Sequence, residues 1–294
     1  MKPSPLTYHA PATVADAVGL LAEHGDDAKV LGGGQSLLPL MNLRLAAPGH
    51  LVDATRIDGL GAIERRDGWF ELGAAVRQAQ AEDDAALAAA CPLLAAAFPH
   101  IAHREIRNAG TVCGSIAHGD AAAELPAVAL ALDAELVVHG PRGVRTVGAD
   151  GFFRSFLETD LEPDELLAAV RLPVAPPGTG AAFHELARRH GDFALAGAGA
   201  QLTVRDGVVA EARVACIGVA ATAVRARAAE RSLTGARADA ATIAEAARAA
   251  AAELEPPEDL HASAAFRRHA AETLMRRALH DAAARAESNG EEAS

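Results

Sequence analysis

Apolar residues recur with helical spacing at Val14, Ala17, Val18, Leu21 and Ala22. Thr13 with Asp16 forms a near capping box at the start of this helix, and Gly25 marks its end. A short apolar run over 28–31 then predicts a strand, and Gly32-Gly33-Gly34-Gln35-Ser36 follows it. Residues 37–45 return to an apolar pattern that opens a helix or a turn. Strands are predicted over 51–54 and 69–74. Asp83 or Asp84 caps an Ala-rich helix running to Phe98. A helix over 121–132 leads to a strand over 134–138, a turn at Pro141-Arg142-Gly143 and a strand over 144–147. Gly151-Phe152-Phe153 reads as the start of a short helix, and 164–172 as a strand stopped by Pro173.

Residues 174–180, Val-Ala-Pro-Pro-Gly-Thr-Gly, form the clearest linker in the chain. Beyond it the pattern predicts three strands, at 181–187, 196–205 and 208–219, with Asp206-Gly207 as a hairpin turn. Two or three helices follow. Ile243, Ala247, Ala250 and Leu254 keep one helical face, and Phe266, Ala270, Leu274 and Ala278 another. A three-stranded antiparallel sheet under a helical layer is the simplest packing. Residues 287–294 are polar and expected to fray.

Composition narrows the possible partners. Half of the 294 residues are hydrophobic but only 3% are aromatic, so the cores must be built from Ala, Leu and Val. The formal net charge of −12 makes nucleic acid and anionic membranes poor partners. Cys91, Cys113 and Cys216 are too few and too scattered to hold an iron–sulfur cluster. They also show no disulfide pattern, which suits a reducing compartment. The N-terminal residues lack an apolar signal core and no charge-free apolar span of membrane length occurs, so a cytoplasmic location is expected. His100, His103 and His118 lie near one another in sequence without a metal-ligand pattern, and no metal site is expected.

Two glycine-bearing stretches carry the candidate chemistry. The first is Gly32 to Ser36; the second is Arg107-Asn108-Ala109-Gly110-Thr111-Val112-Cys113-Gly114-Ser115, leading into His118, Asp120 and Glu124. Glycine turns let several N–H groups converge on one anion, and Ser36, Thr111 and Ser115 add hydroxyls. The alternative for these three hydroxyls is turn stabilisation. Two separated loops suit a dinucleotide, whose diphosphate can be wrapped from two sides. Position 37 is Leu where a Rossmann fingerprint needs Gly, and no Gly-Lys-Ser/Thr occurs. A different nucleotide fold is therefore required.

These two stretches, the lead-in Tyr8-His9-Ala10-Pro11 and the later Arg188-Arg189-His190-Gly191-Asp192-Phe193-Ala194 resemble the flavoprotein (medium) subunits of molybdenum hydroxylases. Aerobic carbon monoxide dehydrogenase and the FAD segment of xanthine dehydrogenase are members of that family. The likeness runs from Tyr8 to about Leu279. It implies an α+β fold, with a two-subdomain FAD-binding domain of the PCMH type over 1–176, split near 55–60. A C-terminal α+β domain, the three-stranded sheet with its helices, then spans 177–286.

The resemblance further implies a cofactor-binding set. It comprises Leu31, Gly32, Gly33, Gly34, Gln35, Ser36, Leu37, Ile101, Thr111, Val112, Cys113, Gly114, Ser115, Glu124, Leu167, His184 and Phe193. Two positions depart from the family pattern: Gly32, where Ala is usual, and Cys113, where Gly is usual. A positive φ at Cys113 would cost roughly 1 kcal/mol or more. Within the likeness Glu124 is the acid that meets a ribose or ribityl hydroxyl, with Asp120 as a cap. His184 stands where the family often has Lys near the flavin, and Phe193 matches an aromatic near the isoalloxazine ring. No general acid or base is expected. The implied function is FAD-mediated electron transfer. Electrons would come from two [2Fe–2S] clusters on a small partner subunit, themselves fed by a large molybdopterin subunit that oxidises substrate, and would leave to NAD, a quinone or oxygen. A dimer of heterotrimers is the implied assembly. A non-catalytic flavin- or nucleotide-binding accessory protein and a stand-alone FAD oxidoreductase remain as alternatives.

Overall fold

The computed structural model describes residues 2–292. The chain opens with β1 (Thr7–His9), α1 (Val14–His24), β2 (Ala28–Leu31), α2 (Leu37–Asn42) and β3 (His50–Asp53). β3 lies between β1 and β2 in a parallel three-stranded sheet. Thr13 caps α1 by accepting from the Asp16 N–H at 3.1 Å, and Gly25 closes it at φ +51°. Ala17, Val18 and Leu21 are buried on this helix, as its periodicity predicts.

A second sheet has the order β4-β5-β10-β6-β7, from β4 (Ile63–Arg66), β5 (Trp69–Gly73), β6 (Glu135–Gly140), β7 (Gly143–Gly148) and β10 (Leu166–Pro173). Six short helices cross between β5 and β6: α3 (Gln78–Asp83), α4 (Ala85–Ala90), α5 (Pro92–Ala97), α6 (Arg104–Ala109), α7 (Val112–His118) and α8 (Glu124–Ala131). The Ala-rich helix expected to run unbroken to Phe98 is interrupted. Asp84 caps α4 through the Leu87 N–H at 2.9 Å, but Cys91 leaves the helical region at φ −126°, ψ 67°. Pro92 is the cause, because its ring disfavours a helical conformation in the preceding residue, while proline is well suited to begin α5. The second glycine stretch is also more ordered than a loop. Its irregular part shrinks to Gly110 and Thr111, between α6 and α7. The helix expected at Gly151-Phe152-Phe153 is a single 3-10 turn, Ala149–Gly151, followed by the hairpin β8 (Phe153–Ser155) and β9 (Glu158–Thr159).

After the Pro-Gly linker come β11 (Thr179–Ala187), β12 (Ala194–Arg205), β13 (Val208–Ile217) and a two-residue edge strand β14 (Val224–Arg225), all antiparallel. Three helices cover one face: α9 (Arg227–Leu233), α10 (Ala240–Ala252) and α11 (Ala264–Glu292). The small side chains of this sheet let the last helix come close. A Cβ on Gly180 would overlap backbone atoms of Ala282 and Ala286 on α11. Ala270, Leu274 and Ala278 are buried as their spacing predicts, whereas Phe266 in the first turn is 47% exposed. The segment expected to fray continues α11 instead: Asn289 Nδ2 donates to the Thr179 carbonyl at 2.9 Å, and the helix runs to Glu292. The remainder of that expectation, residues 293 and 294, lies outside the described residues.

Two apolar clusters result. One fills the first two sheets and takes in Ala181, Phe183, Ala215 and Ile217 from one face of the C-terminal sheet. The other lies between the opposite face and α9 to α11. Among the described residues, no helix is long and apolar enough to cross a membrane.

Candidate functional site

The two glycine stretches meet backbone to backbone. A Cβ on Gly33 would overlap the Ala109 carbonyl and the Cα of Gly110, so only glycine permits this approach. A Cβ on Gly32 would lie 2.9 Å from Thr111 Oγ1, and one on Gly114 would lie 2.5 Å from the same atom. The second stretch is pinned from below. Val112 N–H donates to the Val76 carbonyl at 3.1 Å, Gln78 N–H to the Gly110 carbonyl at 2.8 Å, and the Arg77 guanidinium to the Ala109 carbonyl. Arg107 is buried in a two-point pair with Glu82 at 2.8 and 2.9 Å and donates to the Ile101 carbonyl at 2.8 Å, which fixes the turn before α6.

Where the stretches meet, a cavity of about 1040 Å³ opens. That is at the upper end of the range of roughly 300–1,000 Å³ common for small-molecule sites. Gly32, Gly33, Gly34, Gln35, Ser36, Leu37, Ile101, Thr111, Cys113, Gly114, Ser115, Glu124, Leu167 and Phe193 all line it. Asp120 and His118 line it too. Burial lowers the pKa of His118, so this imidazole is neutral at neutral pH and offers no counter-charge to a diphosphate. Lys29 also lines the cavity, and backbone donors add to it. The N–H groups of Gly33, Gly34, Gln35 and Ser36 donate to no acceptor within the described residues, while Gln35 Nε2 braces the turn on the Gly33 carbonyl at 3.0 Å. Four uncommitted amides on one turn facing a large cavity are the kind of donor set a diphosphate requires.

Three residues of the sequence-derived set lie away from the cavity. Leu31 ends β2 beneath the turn, and Val112 is buried in the first core cluster. His184 points to the far side of its sheet, where its Nε2 lies 2.8 Å from Asp281 Oδ2 on α11. Strand alternation explains this: Ala181 and Phe183 join the first core cluster, whereas Ala182 and Leu186 face the helices, and His184 shares their parity.

Cys113 carries no backbone strain. It lies in the first turn of α7 with negative φ, 2% exposed, and its thiol is directed at the Leu72 carbonyl at 3.5 Å. Burial pushes the thiol pKa up to about 12, so it is an inert packing group. Thr111 caps α7 by accepting from the Gly114 N–H at 3.0 Å. Asp120 Oδ1 accepts from Ala122 N–H at 2.8 Å in the turn ahead of α8. Phe193 is 74% exposed at the cavity rim.

Two residues were not visible in the sequence. Gln78 is buried, lines the cavity and has its Oε1 atom without a hydrogen-bond partner among the described residues. Nothing in its sequence surroundings marks it, since its position depends on the bridge that pairs Arg77 with Thr111. The other is Glu185, the neighbour of His184 with opposite parity. Its carboxyl pairs with that of Glu124 at the junction of α8 and β11, and its Oε2 has no hydrogen-bond partner among the described residues. Burial raises the pKa of both, and the neighbouring Glu124 carboxylate raises that of Glu185 further. The pair as a unit therefore holds a proton that an isolated carboxylate would have lost. Alternation along a strand whose two faces are both apolar could have identified Glu185 as an anomaly.

Comparison with known proteins agrees with this geometry. The family described as the FAD binding domain in molybdopterin dehydrogenase matches residues 4–175, and the CO dehydrogenase flavoprotein C-terminal domain matches residues 181–282. The chain is 40% identical over 287 residues to the 6-hydroxypseudooxynicotine dehydrogenase complex subunit alpha of Paenarthrobacter nicotinovorans, with 97% of each chain covered. It is 33% identical over 284 residues to the xanthine dehydrogenase FAD-binding subunit of Escherichia coli O157:H7, covering 95% of this chain and 97% of the relative. The solved structure of carbon monoxide dehydrogenase from Hydrogenophaga pseudoflava, in a form lacking the Mo-pyranopterin moiety, contains a chain that superposes with a TM-score of 0.95. The sequences are 42% identical there, with 97% of this chain and 99% of that one covered. The glycine turns, their shared cavity and the near-complete match to both domains establish that this chain belongs to the FAD-binding subunits of carbon monoxide dehydrogenase and xanthine dehydrogenase-type molybdopterin oxidoreductases.

Proposed function

We propose that this chain is the electron-exit subunit of a molybdenum hydroxylase. It takes electrons from [2Fe–2S] clusters on a small partner and delivers them to an external acceptor, while a large molybdopterin subunit oxidises the substrate. The assembly is a dimer of heterotrimers, located in the cytoplasm. Relatives named as a medium subunit or medium chain, those of nicotine 6-hydroxylase and carbon monoxide dehydrogenase, support the subunit reading. So does the state of the cysteines: Cys91, Cys113 and Cys216 are all free and buried, and each thiol is raised to about 12 by burial. None is placed to ligate iron.

FAD supplies the redox chemistry through its ring system, and the protein binds and orients it. The uncommitted amides of Gly33 to Ser36 hold the diphosphate. Thr111, Gly114 and Ser115 on the second stretch close the opposite side, Gly32 lets the two stretches approach, and Gln78 and Glu124 offer acceptors to ribityl or ribose hydroxyls. Leu37, Ile101 and Leu167 provide apolar walls, and Phe193 covers the mouth. The FAD-binding domain spans 1–176 and the C-terminal domain 177–286.

The observation that carries this reading is the backbone contact of Gly33 with Gly110 over one cavity. Gly33→Val should abolish flavin retention in a folded chain. The check is the visible absorption and released FAD of wild type and variant, with circular dichroism as the folding control. Co-purification of the wild type with an iron–sulfur polypeptide separates a subunit from a stand-alone oxidoreductase. A folded Gly33→Val protein that keeps its full flavin content would refute the assigned site.

A further inference from the structure

Away from the cavity mouth, three histidines from different elements converge: His9 at the end of β1, His24 at the end of α1 and His50 at the start of β3. One ring nitrogen from each lies within 4.8 Å of the other two. His9 Nε2 lies 2.9 Å from His50 Nδ1, and the His24 ring stacks on that of His50 with centroids 3.6 Å apart. All three are half-buried. The histidines close together along the chain, His100, His103 and His118, show no ligand pattern. His9, His24 and His50 are far apart along the chain and come together only through folding.

Their backbones are held independently of the rings. β1 and β3 pair in parallel, which fixes His9 relative to His50. The Gly49 N–H donates to Asp27 Oδ1 at 2.8 Å, which ties the turn after His24 to the residue before His50. His24 is also the last residue of an eleven-residue helix, where the backbone carbonyls favour a cation. Each neutral imidazole carries one N–H donor and one lone-pair nitrogen, so each of the three rings can offer one ligand atom to an ion.

We propose that His9, His24 and His50 form a site for one divalent transition ion of the zinc, nickel and copper group, with water completing the coordination. An all-imidazole donor set selects these ions over magnesium or calcium, which prefer oxygen. Zn–N bonds of about 2.0–2.1 Å in a tetrahedral arrangement place ligand nitrogens about 3.3 Å apart. The ligand nitrogens, now within 4.8 Å of one another, would close to that spacing on binding. The ion replaces the His9–His50 hydrogen bond and cross-braces the first sheet to α1.

Zinc chloride is the probe, added to the metal-stripped full chain and followed by isothermal titration calorimetry and thermal melting. The wild type should take up one saturable equivalent and melt at a higher temperature with zinc than without it. His9→Gln and His24→Gln should each lose that equivalent, while His269→Ala, at an exposed position on α11, should keep it. X-ray absorption on the zinc-loaded wild type should show three imidazole ligands, a readout that does not depend on any variant folding. Absence of a saturable equivalent in the wild type, unchanged binding in both Gln variants, or fewer than three imidazoles around zinc would overturn the assignment.

Discussion

At the scale of single residues, the shared proton of Glu124 and Glu185 makes stability depend on pH in a definite direction. An unfolded glutamate titrates at about 4.3. Both folded carboxyls titrate higher because they are buried, so between those values the folded state binds more protons than the unfolded state. Stability from this pair is therefore complete below about pH 4.3 and declines as pH rises through the folded pKa values. Glu185→Gln keeps the shape and removes one carboxyl of the coupled pair. In flavin-free protein, its urea midpoint should exceed that of the wild type by a margin that widens from pH 5 toward pH 9. A margin independent of pH would show that Glu185 is ionised in the native state. Arg107 does not reverse this prediction: it lowers the Glu124 pKa, but less than burial raises it, and its own side chain is committed to Glu82 and the Ile101 carbonyl.

At the scale of elements, local chemistry accounts for most of what formed. Thr13 and Gly25 bound α1, Asp206-Gly207 turns β12 into β13, and the spacing of Ala270, Leu274 and Ala278 sets the buried face of α11. Asp84 is a test of such local control. Its side chain accepts the Leu87 N–H, so Asp84→Ala should lower stability by about 1 kcal/mol, measured by urea denaturation, with flavin content unchanged. What could not be read locally depends on pairing between distant segments. The bridge between Arg77 and Thr111 and the carbonyl contacts of Val76 and Gly110 turn the second glycine stretch into a pinned turn between helices. Without a partner strand in view, its Gly, Ser and Thr residues read as a loop. The parity of β11 failed for a similar reason: both faces of that strand are covered, so hydrophobicity does not show which side His184 takes. The short edge strand β14 and the β8–β9 hairpin exist through pairing and have little apolar pattern of their own.

At the scale of the whole molecule, the Pro-Gly linker marks a change of sheet but not a gap in packing. Phe183 and Ile217 on the C-terminal sheet belong to the same apolar cluster as Leu93 and Leu94 on α5. Polar ties cross the same junction. Gly218 N–H donates to the Ala121 carbonyl at 2.8 Å, His100 Nε2 lies 3.1 Å from the Phe183 carbonyl, and Arg213 and Arg225 both pair with Asp133. The Glu124–Glu185 pair bridges it as well. A sheet face buried in this way loses its cover if the chain is divided, and the exposed apolar surface drives association. A fragment of residues 1–176 should therefore aggregate or stay partly folded, even though it contains both glycine turns. Co-expression with residues 177–294 should restore a soluble one-to-one pair that retains flavin. Size-exclusion chromatography with absorbance at flavin wavelengths reads both outcomes. If the 1–176 fragment is monomeric and holds FAD as firmly as the intact chain, then the cleft is complete within the first two sheets. Glu185 and Phe193 would then be dispensable for flavin binding, and the C-terminal domain would serve another role, such as docking a partner. If the pair is required, the flavin site is a property of the junction, and mutations there should weaken flavin retention and cooperative unfolding together.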